Sequence, residues 1–296
     1  ADHRMPDLSA LLERCTFPVP GTDVVCGLSG GADSSALVAL AAESGCIVTA
    51  VHVHHGLRES ADHDAEVAAS TASRLGATFS VVHADVDDGP NLEARARAAR
   101  LDALGPDALT GHTADDQAET LLLALLRGSG ATGLAAISPG PTHPILALRR
   151  RDTEAVCAQL GLTVAIDPTN RDPRFRRNRI RHELLPLLDE IAERDVTVLI
   201  DRTAALLRDD DRLLTQLADA IDPTDAAALA AAPRPLAARA IRRWLDRDGY
   251  PPDAAGIARV LAVAAGESTA CEITGRGRIE RRDGRLVLFP TGPASG

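Results

Sequence analysis

The sequence predicts an α/β protein: a doubly wound, mainly parallel sheet followed by a smaller, mostly helical domain. Three observations carry this. Short β-type runs alternate with helical runs over roughly the first 165 residues, the pattern of right-handed βαβ units. Three polar stretches, Ser29–Ser34, His52–Arg58 and Gly111–Glu119, each follow an apolar run, which is where such sheets bind ligands. Beyond Pro168 the alternation stops and helical spacing takes over. The domain boundary is read at 214/215.

Taken in order, strands are expected at the short β-type runs 23–28, 46–53, 78–83, 107–111 and 162–166, with a weaker candidate at 144–148. Helices are expected at 34–44, 60–75, 91–104, 114–127 and 152–160, where apolar residues recur at helical spacing. Past 170 an Arg-rich loop turns into helix, and helical spacing runs to about 219. The Ala-rich 226–232 tract and Arg239–Leu245 also read as helix. Residues 271–289 alternate like a hairpin around Arg282-Asp-Gly-Arg285, since Asp-Gly suits a tight turn.

Composition excludes several chemistries. All 32 basic residues are arginine, so a Walker-type loop, a lysine Schiff base and a lysine nucleophile are ruled out. The five cysteines, at 15, 26, 46, 157 and 271, form no C-x-x-C pair and no zinc spacing. No apolar run reaches the ~20 residues of a membrane helix, and Ala1-Asp-His-Arg-Met5 lacks a signal-peptide core. A cytoplasmic protein without membrane contact is expected. The net charge of −10 opposes general nucleic-acid binding. Residues 149–182, however, hold nine arginines against four acids; this is either a solvated face or a local polyanion contact.

Ser29-Gly-Gly-Ala-Asp-Ser34 lies between a strand and a helix. Its glycines expose backbone N–H groups, and the helix adds the positive end of its dipole. The result is a phosphate cradle. Asp33 within it would be repulsive to phosphate without a bridging cation, which suggests Mg²⁺. In Gly111-His-Thr-Ala-Asp-Asp-Gln-Ala-Glu-Thr120, Thr113 is placed to cap the helix, with Asp116 completing a capping box. Asp115, Asp116 and Glu119 can share that helix end, and three clustered carboxylates need a cation. His52 and His54 share one face of a strand, yet no acid or cysteine nearby completes a zinc set. Arg58 suits a leaving phosphate or a surface charge. Asn178 and Arg181, three apart on a helix, are expected to point into one cleft.

The Ser-Gly-Gly-x-Asp-Ser loop resembles the PP-loop of the N-type ATP pyrophosphatases, which split ATP between its α and β phosphates. With His52-Val-His-His-Gly-Leu-Arg58, Gly111–Thr120, Leu126-Arg-Gly-Ser-Gly130 and Asp167-Pro-Thr-Asn…Arg177-Asn-Arg-Ile-Arg181, the chain resembles the tRNA(Ile)-lysidine synthase family over about residues 20–210. The resemblance implies an adenine nucleotide alpha-hydrolase-like fold, ATP and Mg²⁺, and two further substrates, tRNA(Ile) with a CAU anticodon and L-lysine. A homodimer is compatible with it. In the implied reaction, O2 of cytidine 34 attacks the ATP α-phosphate and expels pyrophosphate. The ε-amine of lysine then attacks C2 of the adenylated base, and AMP leaves.

The implied roles follow the motifs. Ser29, Gly30, Gly31, Ala32, Asp33, Ser34 and His112 would hold the nucleotide, with Asp33 and Asp116 on the metal. Asp115, Asp116 and Glu119 would share the metal and the lysine ammonium. Arg58, Asn178 and Arg181 would neutralise phosphate charge, and Arg127, Arg177, Asn178 and Arg181 would meet substrate or RNA. This chain has His54 where the family usually has Asn, and a C-terminal part that is often longer in the family. The alternatives are a PP-loop tRNA thiolase, which needs cysteines, a small-molecule amide ligase, and an inactive RNA-binding module.

Overall fold

The computed structural model describes residues 7–54, 61–84, 92–165, 168–246 and 252–290. The chain divides into two units, Ala1–Ala205 and Leu206–Gly296. The first holds α1 (Leu8–Leu12), β1 (Asp23–Gly27), α2 (Ala32–Glu43), β2 (Ile47–His54), α3 (Ala61–Arg74), β3 (Thr78–His83), α4 (Leu92–Leu104), α5 (Ala114–Leu126), α6 (Ala131–Leu134), α7 (Arg150–Gln159), α8 (Arg176–Arg179), α9 (Leu185–Ala192) and the start of α10 (Val196–Asp219). The observed boundary and the expected one at 214/215 both fall within α10.

The strands pair in parallel in the order β1-β2-β3, with Cys26 opposite Ala50 and Ala50 opposite Phe79. Leu109 lies on the free side of β1: its N–H donates to Val25 O at 2.8 Å, and its carbonyl accepts from Gly27 N at 3.0 Å. Successive side chains of a strand face opposite ways, and both faces are buried here. Val48 and Ala50 join the core packed by α2, whereas Val51 and Val53 pack with Leu104 and Ala108. Helices therefore cover both sides, and the doubly wound expectation stands.

Several element boundaries differ from the sequence reading. The 107–111 segment is a single bridge at Leu109 rather than a strand. Residues 144–148 form a turn, with the Leu148 carbonyl accepting from Ala114 N at 2.8 Å. The described part of 162–166 is irregular, and Ala165 N donates to Gly30 O at 2.9 Å across the phosphate loop. α2 starts at Ala32 and α7 at Arg150, each two residues earlier than expected. Asp33 and Arg150 thereby enter the first turns of their helices.

The second unit contains the rest of α10, then α11 (Ala226–Ala231), α12 (Arg234–Leu245) and α13 (Ala254–Ala265), followed by an antiparallel sheet β4 (Ala270–Ile273), β5 (Gly277–Arg282), β6 (Arg285–Pro290). Ile241, Leu245, Val260, Val263, Ile279 and Leu286 form its core. Asp283 and Gly284 both have positive φ, 48° and 78°, the requirement of the tight turn joining two twisted strands. The expected hairpin is thus β5–β6, and β4 widens it to three strands. No helix among the described residues is long and apolar enough to cross a membrane.

Candidate active site

A cleft of about 480 Å³ opens at the C-terminal ends of β1 and β2. Ser29, Gly31, Asp33, Ser34, His112 and Asp116 line it, and so do His52 and His54. The phosphate loop is internally braced. The Ser29 amide donates to Ser34 Oγ at 3.1 Å, and Ser34 Oγ donates to Gly31 O at 2.9 Å. Gly30 has φ +87°, and a Cβ there would sit 3.2 Å from Asp64 O and 3.3 Å from Ala165 Cβ. Only glycine fits that turn without strain. At Gly111 a Cβ would come within 2.8 Å of Asp33 O, so this glycine lets the chain after Leu109 abut the start of α2.

The four carboxylates have different surroundings. Asp33 accepts from Thr153 Oγ1 on α7 and from Arg150 Nε at 3.5 Å. Burial pushes its carboxyl above the ordinary value; Thr153 and Arg150 oppose this, while Asp116 adds to it. For Asp116 burial also works upward, but Arg177, Arg150 and the Thr113 amide outweigh it and hold the carboxyl below the ordinary range. Asp116 Oδ2 closes the expected capping box on Thr113 N at 2.9 Å, and its Oδ1 accepts from Arg177 Nη2 at 2.9 Å.

Glu119 is fully buried and does not line the cleft. It accepts from Arg150 Nη1 at 3.2 Å, Arg177 Nε at 2.6 Å, and Arg181 Nε and Nη2 at 2.7 and 3.1 Å. Asp115 turns elsewhere. It takes a forked pair from Arg149 at 3.0 Å and the Arg150 amide at 2.7 Å, while Arg149 also reaches Asp195 and Thr197. Asp115 thus faces Arg149, apart from the arginines that gather on Asp116 and Glu119. Arginines of the chain itself satisfy all three acids.

The Arg-rich segment, open in sequence between a solvated face and a polyanion contact, is divided: Arg149, Arg150, Arg177 and Arg181 point inward to carboxylates, whereas Arg151, Arg171, Arg174, Arg176 and Arg179 are exposed. Arg174 pairs with Asp172, and Arg179 with Glu183. Arg181 and Asn178 do not meet in one cleft. Asn178 Nδ2 instead donates to Thr169 O at 2.6 Å and Asp172 O at 3.0 Å, pinning the 169–172 turn. Asn178→Ala is expected to cost about 1–3 kcal/mol, since it strips the donor from two carbonyls, read as a lower urea midpoint. A tenfold activity loss at unchanged stability would instead mean that Asn178 contacts substrate.

Arg127 is exposed at the end of α5 and does not line the cleft. Arg58 lies outside the described residues. Sequence reasoning missed Arg100, which lines the cleft from α4. It also missed Thr110, whose Oγ1 lies 2.9 Å from His112 Nδ1 and 2.7 Å from His143 Nδ1. Arg149 and Arg150 were the largest omission. Cations at a helix N-terminus oppose the dipole, so Arg149-Arg-Arg151 at the start of α7 was itself a signal that acids must lie opposite.

Residues 6–188 match the PP-loop domain family and residues 225–287 the TilS substrate binding domain. A tRNA(Ile)-lysidine synthase of Nocardia farcinica is 44% identical over 79% of this chain and 78% of its own length. One of Rhodococcus erythropolis is 43% identical over 78% and 76%. One of Cutibacterium acnes is 38% identical over 96% of both chains. A U34-tRNA thiolase of Methanococcus maripaludis superposes with a TM-score of 0.52 at 16% identity, covering 68% of this chain and 77% of that one. That similarity concerns the fold alone.

Proposed function

The chain belongs to the tRNA(Ile)-lysidine synthase family of PP-loop ligases, and from that premise we propose how its cleft forms lysidine from ATP, L-lysine and cytidine 34 of a CAU-anticodon tRNA(Ile). The observation that carries the reading is the cleft itself, lined by the Ser29–Ser34 loop with its Asp33 and, from α5, by Asp116. Amides of the loop and the first turn of α2 bind the phosphates of ATP. Their fixed dipoles stabilise charge on the α-phosphate as O2 of the cytosine attacks and pyrophosphate departs. The lysine amine must be neutral to attack C2, and carboxylates beside it can take its proton.

Asp33 and Asp116 present carboxylate oxygens, hard donors that fit Mg²⁺ with water and phosphate oxygens at its remaining positions. When bound, Mg²⁺ would shield the phosphates from the carboxylates. Among the described residues no group of three or more His, Cys, Asp or Glu could hold a metal by itself, so the nucleotide would be required to complete the set. The cytoplasm, where tRNA, ATP and free lysine meet, is the expected compartment, and a homodimer is compatible with the reading. The thiolase alternative is not favoured, because the cysteines form no C-x-x-C.

The direct test mixes the protein with labelled lysine, ATP, Mg²⁺ and tRNA(Ile) bearing CAU. Acid-insoluble label and one pyrophosphate per lysine are expected. No label, with modification appearing only when a sulfur donor is added, would sink the lysidine reading.

A further inference from the structure

Arg150 touches all four carboxylates of the site. Its backbone N–H donates to Asp115 Oδ2 at 2.7 Å. Its guanidinium reaches Asp33 Oδ2 at 3.5 Å, Asp116 Oδ1 at 3.4 Å and Glu119 Oε1 at 3.2 Å. Asp33 stands on α2 and Asp116 on α5, and Arg150 bonds to both. Two carboxylates facing one cleft repel each other, and a guanidinium between them offsets that repulsion.

The bond lengths divide the labour. Arg177 and Arg181 bind Glu119 at 2.6 and 2.7 Å, the short range of charge-assisted bonds. The Arg150 contacts are longer, 3.2–3.5 Å, because one guanidinium is shared among three carboxylates. Glu119 is saturated away from the cleft, while Asp33 and Asp116 line it.

We propose that Arg150 is a positioning residue, an internal cation that holds Asp33 and Asp116 at a fixed spacing across the cleft so that this pair, and not Glu119, meets the substrates. The proposal rests on the lysidine-forming reading of the cleft. Arg150 touches no substrate in this role and acts through the two aspartates.

The test uses the full chain with tRNA(Ile), ATP, Mg²⁺ and lysine. Arg150→Ala is expected to lower kcat about 100-fold while KM for ATP stays within about threefold. ATP should still raise its melting temperature as in the parent, because the phosphate loop is intact. Guanidinium ion at about 20 mM should restore at least tenfold of the lost rate, since a diffusible planar cation can occupy the vacated place. Arg150→Lys keeps the charge without the fork; it is expected to fall between parent and Arg150→Ala, and it serves if the alanine variant does not fold.

Parental kcat in either variant overturns the role. So does a loss in Arg150→Ala that guanidinium leaves untouched, or failure of both variants to fold, which would make Arg150 a folding residue only. If the parent itself incorporates no lysine, the proposed reaction fails instead, and the two failures are told apart.

Discussion

Asp33→Asn is expected to reduce pyrophosphate release by at least ~10³-fold, the loss that follows when a preorganised charge is removed from a transition-state site, while the melting temperature stays level or rises. The asparagine keeps the shape and can still accept from Thr153, so the substitution isolates the charge. The stability half follows from linkage. Burial raises the Asp33 carboxyl above its ordinary value of 3.8. A carboxyl raised in the folded state contributes stability that is complete below the unfolded value and lost as pH rises through the folded one. At neutral pH the ionised group is therefore a burden to the fold. An inactive variant that melts no lower than the parent shows strain kept for function. An active Asp33→Asn, or one that is inactive only because it is unfolded, contradicts the assignment.

Glu119→Ala is expected to cost about 3–5 kcal/mol, the range for breaking a buried ion pair from one side. The Glu119 carboxylate is fully shielded from water, and the arginines that bind it are 20–28% exposed. That residual hydration favours the lower end of the range. Removing the acid leaves Arg150, Arg177 and Arg181 facing one another with Asp116 as their remaining common acid. Glu119→Gln should lose less, since its amide oxygen still accepts one bond. Urea unfolding of the two variants checks this, and a loss under about 1 kcal/mol for the alanine would mean the arginines find other partners.

These residues show how far the sequence could be read. The alternation of β1, α2, β2, α3 and β3 was legible because strand and helix periods differ so strongly. The phosphate loop and the capping box at Thr113 were legible because each is local. The turn at 144–148 was not, since an apolar run buries itself equally well in a turn as in a strand, and Ile145 and Leu148 are both fully buried. The partners of the acids were not legible either. Arg149 and Arg150 lie more than thirty residues from Asp115 and Asp116 in sequence, and nothing local connects them. Charge counting marked 149–182 as basic but could not say that Arg149, Arg150, Arg177 and Arg181 turn inward.

Asn178 and Arg181 take different partners on a helix that is not uniform: α8 passes into a π-helical turn at Ile180–Leu184 before α9 resumes. Arg177 and Arg181, four apart, converge on Glu119, while Asn178 binds the 169–172 turn.

A π turn is in effect one residue spliced into an α-helix. Deleting a single position from Ile180–Leu184 would restore regular helix and rotate everything before it by about 100°, the angle of one residue. With a deletion other than Arg181, Arg177 is expected to leave Glu119 although every side chain that binds the carboxylate is still present. In this chain the length of that segment would then constrain the site as firmly as its composition.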